Sequence, residues 1–232
     1  MEERETVLVV GAGKGLSASL ARLFAKEGMR VALAARDASK LASLAEETGA
    51  RSYACDAADP AAVRGLFGAL DKDVGPLDLV VYNPSYRVRG PLVELDPEEV
   101  RKTLLVSSFG GFLVGQEAAR RMLARGRGAI FFTGASASVK GYAQSAPFAM
   151  GKFALRGLAQ SMARELQPKN IHVAHFVIDG GIGGPADPRG AERGADGLLD
   201  PDAIARTYLS FYRQHRSAWS SEIELRPWVE KF

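Results

Sequence analysis

The chain has almost no cysteine, almost no net charge and no long apolar run. Cys55 is the one cysteine among 232 residues, so an intrachain disulfide framework is excluded. That usage suits a reducing compartment, and the neighbours of Cys55 suggest a strand end with a structural rather than reactive thiol. A formal charge of +3 is too small an excess to imply a nucleic-acid partner. No apolar run approaches the ~20 residues that span a bilayer. The first residues, Met1 to Glu5, are acidic and carry no apolar signal segment. A cytoplasmic protein is expected, with no membrane partner and no metal.

What is present is the composition of a soluble globule, 47% hydrophobic and 25% charged. Its length suits a single α/β domain over 1–232. Thr6 to Val10 is a near-continuous apolar run, the mark of a strand buried on both faces. Leu16, Leu20, Leu23 and Phe24 then recur with helical period, and Gly28 ends that helix. The alternation continues: strands at 30–35, 51–55, 77–82, 129–133, 171–178 and 222–226, and helices at 40–48, from Pro60, 146–167 and 202–214. Asp96-Pro97-Glu98-Glu99 opens a further helix with a capping acid, a first-turn proline and two more acids. It is expected to run through Phe112 to Arg125, with Gly110 and Gly111 either weakening it or admitting a close neighbour. Such alternation demands a parallel sheet with helices on both faces. Gly180 to Asp200 is too rich in Gly, Pro and Asp for a tight turn and predicts a substrate loop inserted at about 180–200.

Between the first strand and first helix lies Val10-Gly11-Ala12-Gly13-Lys14-Gly15-Leu16-Ser17. Glycine lets a backbone turn tightly and approach a pyrophosphate, while the helix start aims N–H groups and a positive dipole end at the anion. The second strand ends Ala34-Ala35-Arg36-Asp37. An acid at that end would bond a ribose 2′-hydroxyl, but Ala35 stands there and Arg36 follows. A guanidinium pairs with phosphate through two bonds, and Lys14 adds a second positive charge, so NADP is favoured over NAD. Asp37 caps a helix or swings toward the ribose.

These residues resemble the short-chain dehydrogenase/reductase family, whose loop reads Thr-Gly-x-x-x-Gly-Ile-Gly. Here Val10 replaces the threonine, Leu16 the isoleucine and Ser17 the last glycine. Cys55-Asp56-Ala57 is similar to the family's Asp-Val step, which implies that Asp56 bonds the adenine. Tyr82-Asn83-Pro84-Ser85 is similar to its Asn-Asn-Ala-Gly strand end, which implies that Asn83 steadies the sheet and contacts the adenosine side. The resemblance covers nearly the whole chain. It implies a doubly wound, mainly parallel seven-stranded sheet in a Rossmann-like three-layer α/β/α arrangement. It also implies pairing of the helices around 96–125 and 146–167 with their copies, in a homodimer or homotetramer.

The catalytic signature of that family, Tyr-x-x-x-Lys, reads Phe148-Ala149-Met150-Gly151-Lys152 here. In the family the lysine lowers the phenol pKa and holds the nicotinamide ribose; Phe148 has no proton to give. The family serine, about thirteen residues earlier, falls on Ala135, with Ser136 adjacent. Its helical asparagine falls on Ser107. After the sixth strand Asp179-Gly180-Gly181-Ile182 replaces a Pro-Gly step, and the resemblance puts the Ile182 backbone near the nicotinamide amide. Asp179 reads as a cap or a site acid.

Catalytic candidates are therefore Lys152 and Ser136. Cofactor candidates are Gly11, Lys14, Gly15, Leu16, Arg36, Asp56, Asn83, Lys152 and Ile182. Tyr86, after the fourth strand, is a candidate for a replacement acid, with Tyr142 and His175 weaker ones. The resulting expectation is an NADP-dependent oxidoreductase acting on a small carbonyl or alcohol with a degenerate catalytic tetrad. The competing one is a non-catalytic NADP(H)-binding sensor or assembly protein.

Overall fold

In the computed structural model, which describes residues 4–183, 187–190 and 192–230, seven parallel strands form one sheet in the order β3-β2-β1-β4-β5-β6-β7. The strands are β1 (Thr6–Val10), β2 (Arg30–Ala35), β3 (Arg51–Ala54), β4 (Leu79–Tyr82), β5 (Gly128–Thr133), β6 (Ile171–Ile178) and β7 (Glu222–Leu225). The helices are α1 (Leu16–Lys26), α2 (Ala42–Thr48), α3 (Pro60–Asp73), α4 (Pro97–Leu104), α5 (Gly110–Arg125), α6 (Ala146–Leu166) and α7 (Pro201–Tyr212).

The two-residue period of a strand sorts its side chains between two cores. Along β1, Val7 and Val9 face a core shared with Leu20 and Phe24 of α1 and Tyr208 of α7. Leu8 and Val10 face the other, shared with Phe67 of α3, Val114 of α5 and Leu155 of α6. Both faces of the sheet are covered, which is why β1 and β6 read as unbroken apolar runs. The strand order reverses between β1 and β4, so the loops after those two strands diverge and leave a crevice at the carboxyl edge.

Three expectations needed adjustment. The helix from Pro97 is not continuous: a π-helical turn at Leu105–Phe109 separates α4 from α5. Tyr82, buried at the end of β4, donates its hydroxyl to the Val106 carbonyl at 2.5 Å, taking up a carbonyl in the wider turn. Gly110 and Gly111 are there for contact, since a Cβ at Gly111 would lie 2.6 Å from the Leu155 side chain. The second helix begins with a 3-10 turn, Ala38–Leu41, capped by Asp37 through the Ser39 N–H at 3.1 Å. The helix expected at 146–167 ends at Leu166, and Gln167–Lys169 follows it as a 3-10 turn. Of the loop expected at 180–200, residues 184–186 and 191 lie outside the described residues. The rest is pinned by a parallel bridge between Ile182 and Leu199.

Candidate active site

The first strand delivers the chain to Gly11, whose φ of 76° lies in the left-handed region. A side chain there would strike Pro84, with a Cβ only 2.6 Å from the proline nitrogen. Gly15, at φ 81°, is the residue before α1. That helix has no side-chain cap and no acid in its first turn, so its amino-terminal N–H groups and dipole end are uncompensated. A Cβ at Gly13 or Gly15 would meet nothing within 4 Å, so the space over the helix start is open. Ser17, in place of the family's last glycine, donates to the Gly11 carbonyl at 3.1 Å and accepts from the Asn83 amide at 2.7 Å. It fastens the loop to the end of β4. An uncapped helix start under an open glycine cradle fits a diphosphate.

A cavity of about 760 Å³ continues from this loop past Arg36, Asp37, Asp56 and Asn83. Asp37 is already engaged: it accepts from the Ser39 hydroxyl at 2.6 Å and pairs with Lys40 at 3.4 Å. Arg36 and Lys14 are exposed and enter no ion pair among the described residues. Asp56 accepts from the Ala58 N–H at 2.9 Å and otherwise faces the cavity. A larger cavity, about 910 Å³, opens at the opposite edge around Arg127, His172 and Trp219. In it Asp78 pairs with Arg127 and with nearby Arg125, and Glu27 with Arg213, and none of the motif residues lines it.

Lys152 is buried in α6, with its ammonium donating to the Thr133 carbonyl at 2.8 Å. Burial pushes its pKa down to about 8. One helical turn earlier the Phe148 ring centre lies 5.9 Å from that ammonium. On this ring rests a group that sequence reasoning missed, the Arg87 guanidinium, 4.9 Å from its centre. Ala135 precedes a 3-10 turn, Ser136–Ser138. Ser136 is half-buried there, and the hydroxyl turned inward is that of Ser138, which accepts from the Ala135 N–H at 3.1 Å. Ser107 lies fully buried in the π-turn, its hydroxyl without a partner and next to Gly151 of α6. The residue that the resemblance aligns with the family's asparagine thus sets a small polar group against α6.

The three candidates for a replacement acid differ in setting. Tyr86 donates to Glu99 at 2.5 Å and carries Lys102 over its ring at 4.4 Å, which anchors the loop to α4. Tyr142 is half exposed beside Lys140. His175 is buried on β6, its Nδ1 3.0 Å from Glu222, and burial holds its pKa down at about 4. A neutral His175 therefore holds little proton to donate at neutral pH. Asp179 is buried between Lys140 at 3.3 Å and Arg226 at 3.0 Å, the part of a structural acid. The Ile182 carbonyl accepts from Arg189 at 2.7 Å, just past the end of β6.

The family model described as short chain dehydrogenase matches residues 5–182. The chain belongs to the short-chain dehydrogenase family. A short-chain dehydrogenase from Rhodopseudomonas palustris is 40% identical, with a TM-score of 0.84 over 97% of this chain and 100% of that one. A metagenomic short-chain oxidoreductase solved with NADP is 27% identical, also at 0.84, over 96% of this chain and 97% of its own. The cyclic-di-GMP-binding biofilm dispersal mediator protein of Escherichia coli K12 is 32% identical over 191 residues, 79% of this chain and 76% of its own. The short-chain family is one of oxidoreductases, and the seven-stranded parallel sheet is the fold of its solved members.

Proposed function

We propose that this short-chain dehydrogenase is an NADP-dependent oxidoreductase acting on a small carbonyl or alcohol through an altered proton-transfer site. The observation that carries this reading is the uncapped start of α1 beneath open glycines, flanked by two cations that have no acid partner, Lys14 and Arg36. In this reading Gly11, Gly15 and Leu16 hold the diphosphate through their backbone, and Arg36 with Lys14 takes the 2′-phosphate. Asp56 and Asn83 border the adenosine. Lys152 holds the nicotinamide ribose, and the Ile182 backbone meets the amide. NADP(H), when bound, supplies or accepts a hydride. The chain's own part is to orient the nucleotide, to keep a buried ammonium at Lys152, and to wall the site with Phe148. Ser136, adjacent in sequence to Ala135 at the family's serine position, is the catalytic hydroxyl of this reading.

The same proposal treats 1–232 as one dinucleotide-binding domain in the cytoplasm, in keeping with a lone buried thiol whose pKa burial raises to about 11. No described helix is long and apolar enough to cross a membrane. It also includes self-association. Phe109, Phe112 and Leu123 beside and along α5, and Met150 and Phe153 of α6, leave large apolar side chains exposed. Light scattering is expected to read a dimer or tetramer, and a monomer at micromolar concentration would count against it.

A non-catalytic nucleotide-binding role is the second reading. Phe148 favours it, as does a relative named for binding a nucleotide rather than for a reaction. For cofactor choice, NADPH is expected to bind the wild type more tightly than NADH, and Arg36→Ala to narrow the gap. Loss of one charge-assisted contact corresponds to roughly ten- to a hundredfold. Equal affinities for the two nucleotides before mutation, measured by fluorescence titration, would refute the assignment.

A further inference from the structure

We propose that the substrate is an anion, a carbonyl or alcohol compound carrying a carboxylate or phosphate that Arg87 grips above Phe148. This rests on the reading of the cleft as an oxidoreductase site and names the chemical class it takes. The Phe148 ring replaces the family's phenol, and it is bracketed by two cations: the Arg87 guanidinium at 4.9 Å and the Lys152 ammonium at 5.9 Å. Among the described residues no hydrogen bond or ion pair falls on Arg87; its recorded contact is the aromatic face. Glu99, Asp179 and Glu222 are each engaged by other groups: Glu99 by Tyr86 and Lys102, Asp179 by Lys140 and Arg226, and Glu222 by Arg156 and His175.

Partial desolvation and then the neighbouring Arg89 lower the Arg87 pKa, Tyr142 raises it, and no carboxylate contributes. The loop that carries it is not adrift: the Gly90 N–H donates to the Gln144 carbonyl at 3.1 Å, linking it to the residues before α6. The guanidinium lies over the Phe148 ring, and among the described residues its N–H donors are not taken up by a hydrogen bond. A guanidinium offers paired N–H donors to the oxygens of a carboxylate or phosphate. A phenylalanine at 148 thus does something a tyrosine would do less simply: it gives an apolar seat to a guanidinium without offering a hydroxyl to it.

The test is binding, read by calorimetry on the full chain with and without saturating NADP⁺. Acetoacetate is compared with methyl acetoacetate, and dihydroxyacetone phosphate with dihydroxyacetone. The charged member of at least one pair is expected to bind about tenfold tighter or more, and the pair that responds tells carboxylate from phosphate. Arg87→Met should abolish that preference and Arg87→Lys should keep part of it, with melting temperatures unchanged because Arg87 is exposed. No preference in the wild type, or one that survives Arg87→Met, overturns the proposal. So does an equal loss of NADPH affinity in Arg87→Met, which would give the guanidinium to the nucleotide instead. Failure of NADP⁺ to bind the wild type would count against the oxidoreductase reading alone, since the titrations without nucleotide still report on Arg87.

Discussion

Phe148→Tyr is expected to raise turnover of a simple ketone with NADPH by about a hundredfold or more, the usual worth of a positioned general acid. The position keeps the ring and the lysine that a phenol would need. The ring sits one turn before Lys152 on the same face of α6. Lys152 is fixed by the Thr133 carbonyl, and Arg87 adds positive charge over the ring face. Two cations that close stabilise a phenolate and lower its pKa toward working pH. The gain should be incomplete, because Ala135 gives the new hydroxyl no neighbouring serine. The double variant with Ala135→Ser should exceed the single one. Rates followed at the nicotinamide absorbance decide it. If neither variant turns over any carbonyl while NADPH binding is undiminished, the non-catalytic reading is the correct one.

How much of this was legible in the chain depended on how local each determinant is. The limits of β1 and β6 follow from apolar runs that need both faces buried. The glycine loop was legible because its turn and the helix start after it are written in consecutive residues. The edge strand β3 and short β4 blurred by a residue or two, since their ends are set by neighbours in the sheet. The π-turn was invisible because it is completed by Tyr82, more than twenty residues away in sequence. Arg87 was passed over because nothing local marks it. Its meaning comes from Phe148, sixty-one positions later, and only the packing of the β4 loop against α6 brings the two together. Asp37 shows the opposite case, a residue with two readings until the Ser39 and Lys40 contacts engaged it.

Gly13→Asp is expected to weaken NADPH binding by about a hundredfold or more while leaving the melting temperature within a few degrees. The two halves of that statement have separate causes. Gly13 is absent from the positive-φ glycines, and a Cβ there meets nothing within 4 Å, so the apo fold accepts a side chain without strain or clash. The carboxylate, however, would stand in the open space over the start of α1. Like charges about 4 Å apart repel by about 4 kcal/mol at the effective dielectric of a protein surface, enough for two to three decades in affinity. It would also draw the uncompensated α1 N–H groups to itself, competing with the diphosphate for the same donors. Gly13→Asn has nearly the same shape and no charge. If the loop holds a diphosphate, Asn should cost far less than Asp. Equal losses would mean that bulk, not charge, blocks the cleft, and no loss in either variant would mean that the nucleotide does not sit over this helix at all. In that last case the roles given to Arg36, Lys14 and Lys152 would fall with it, because each is defined by its place around the diphosphate that Gly13 overlooks.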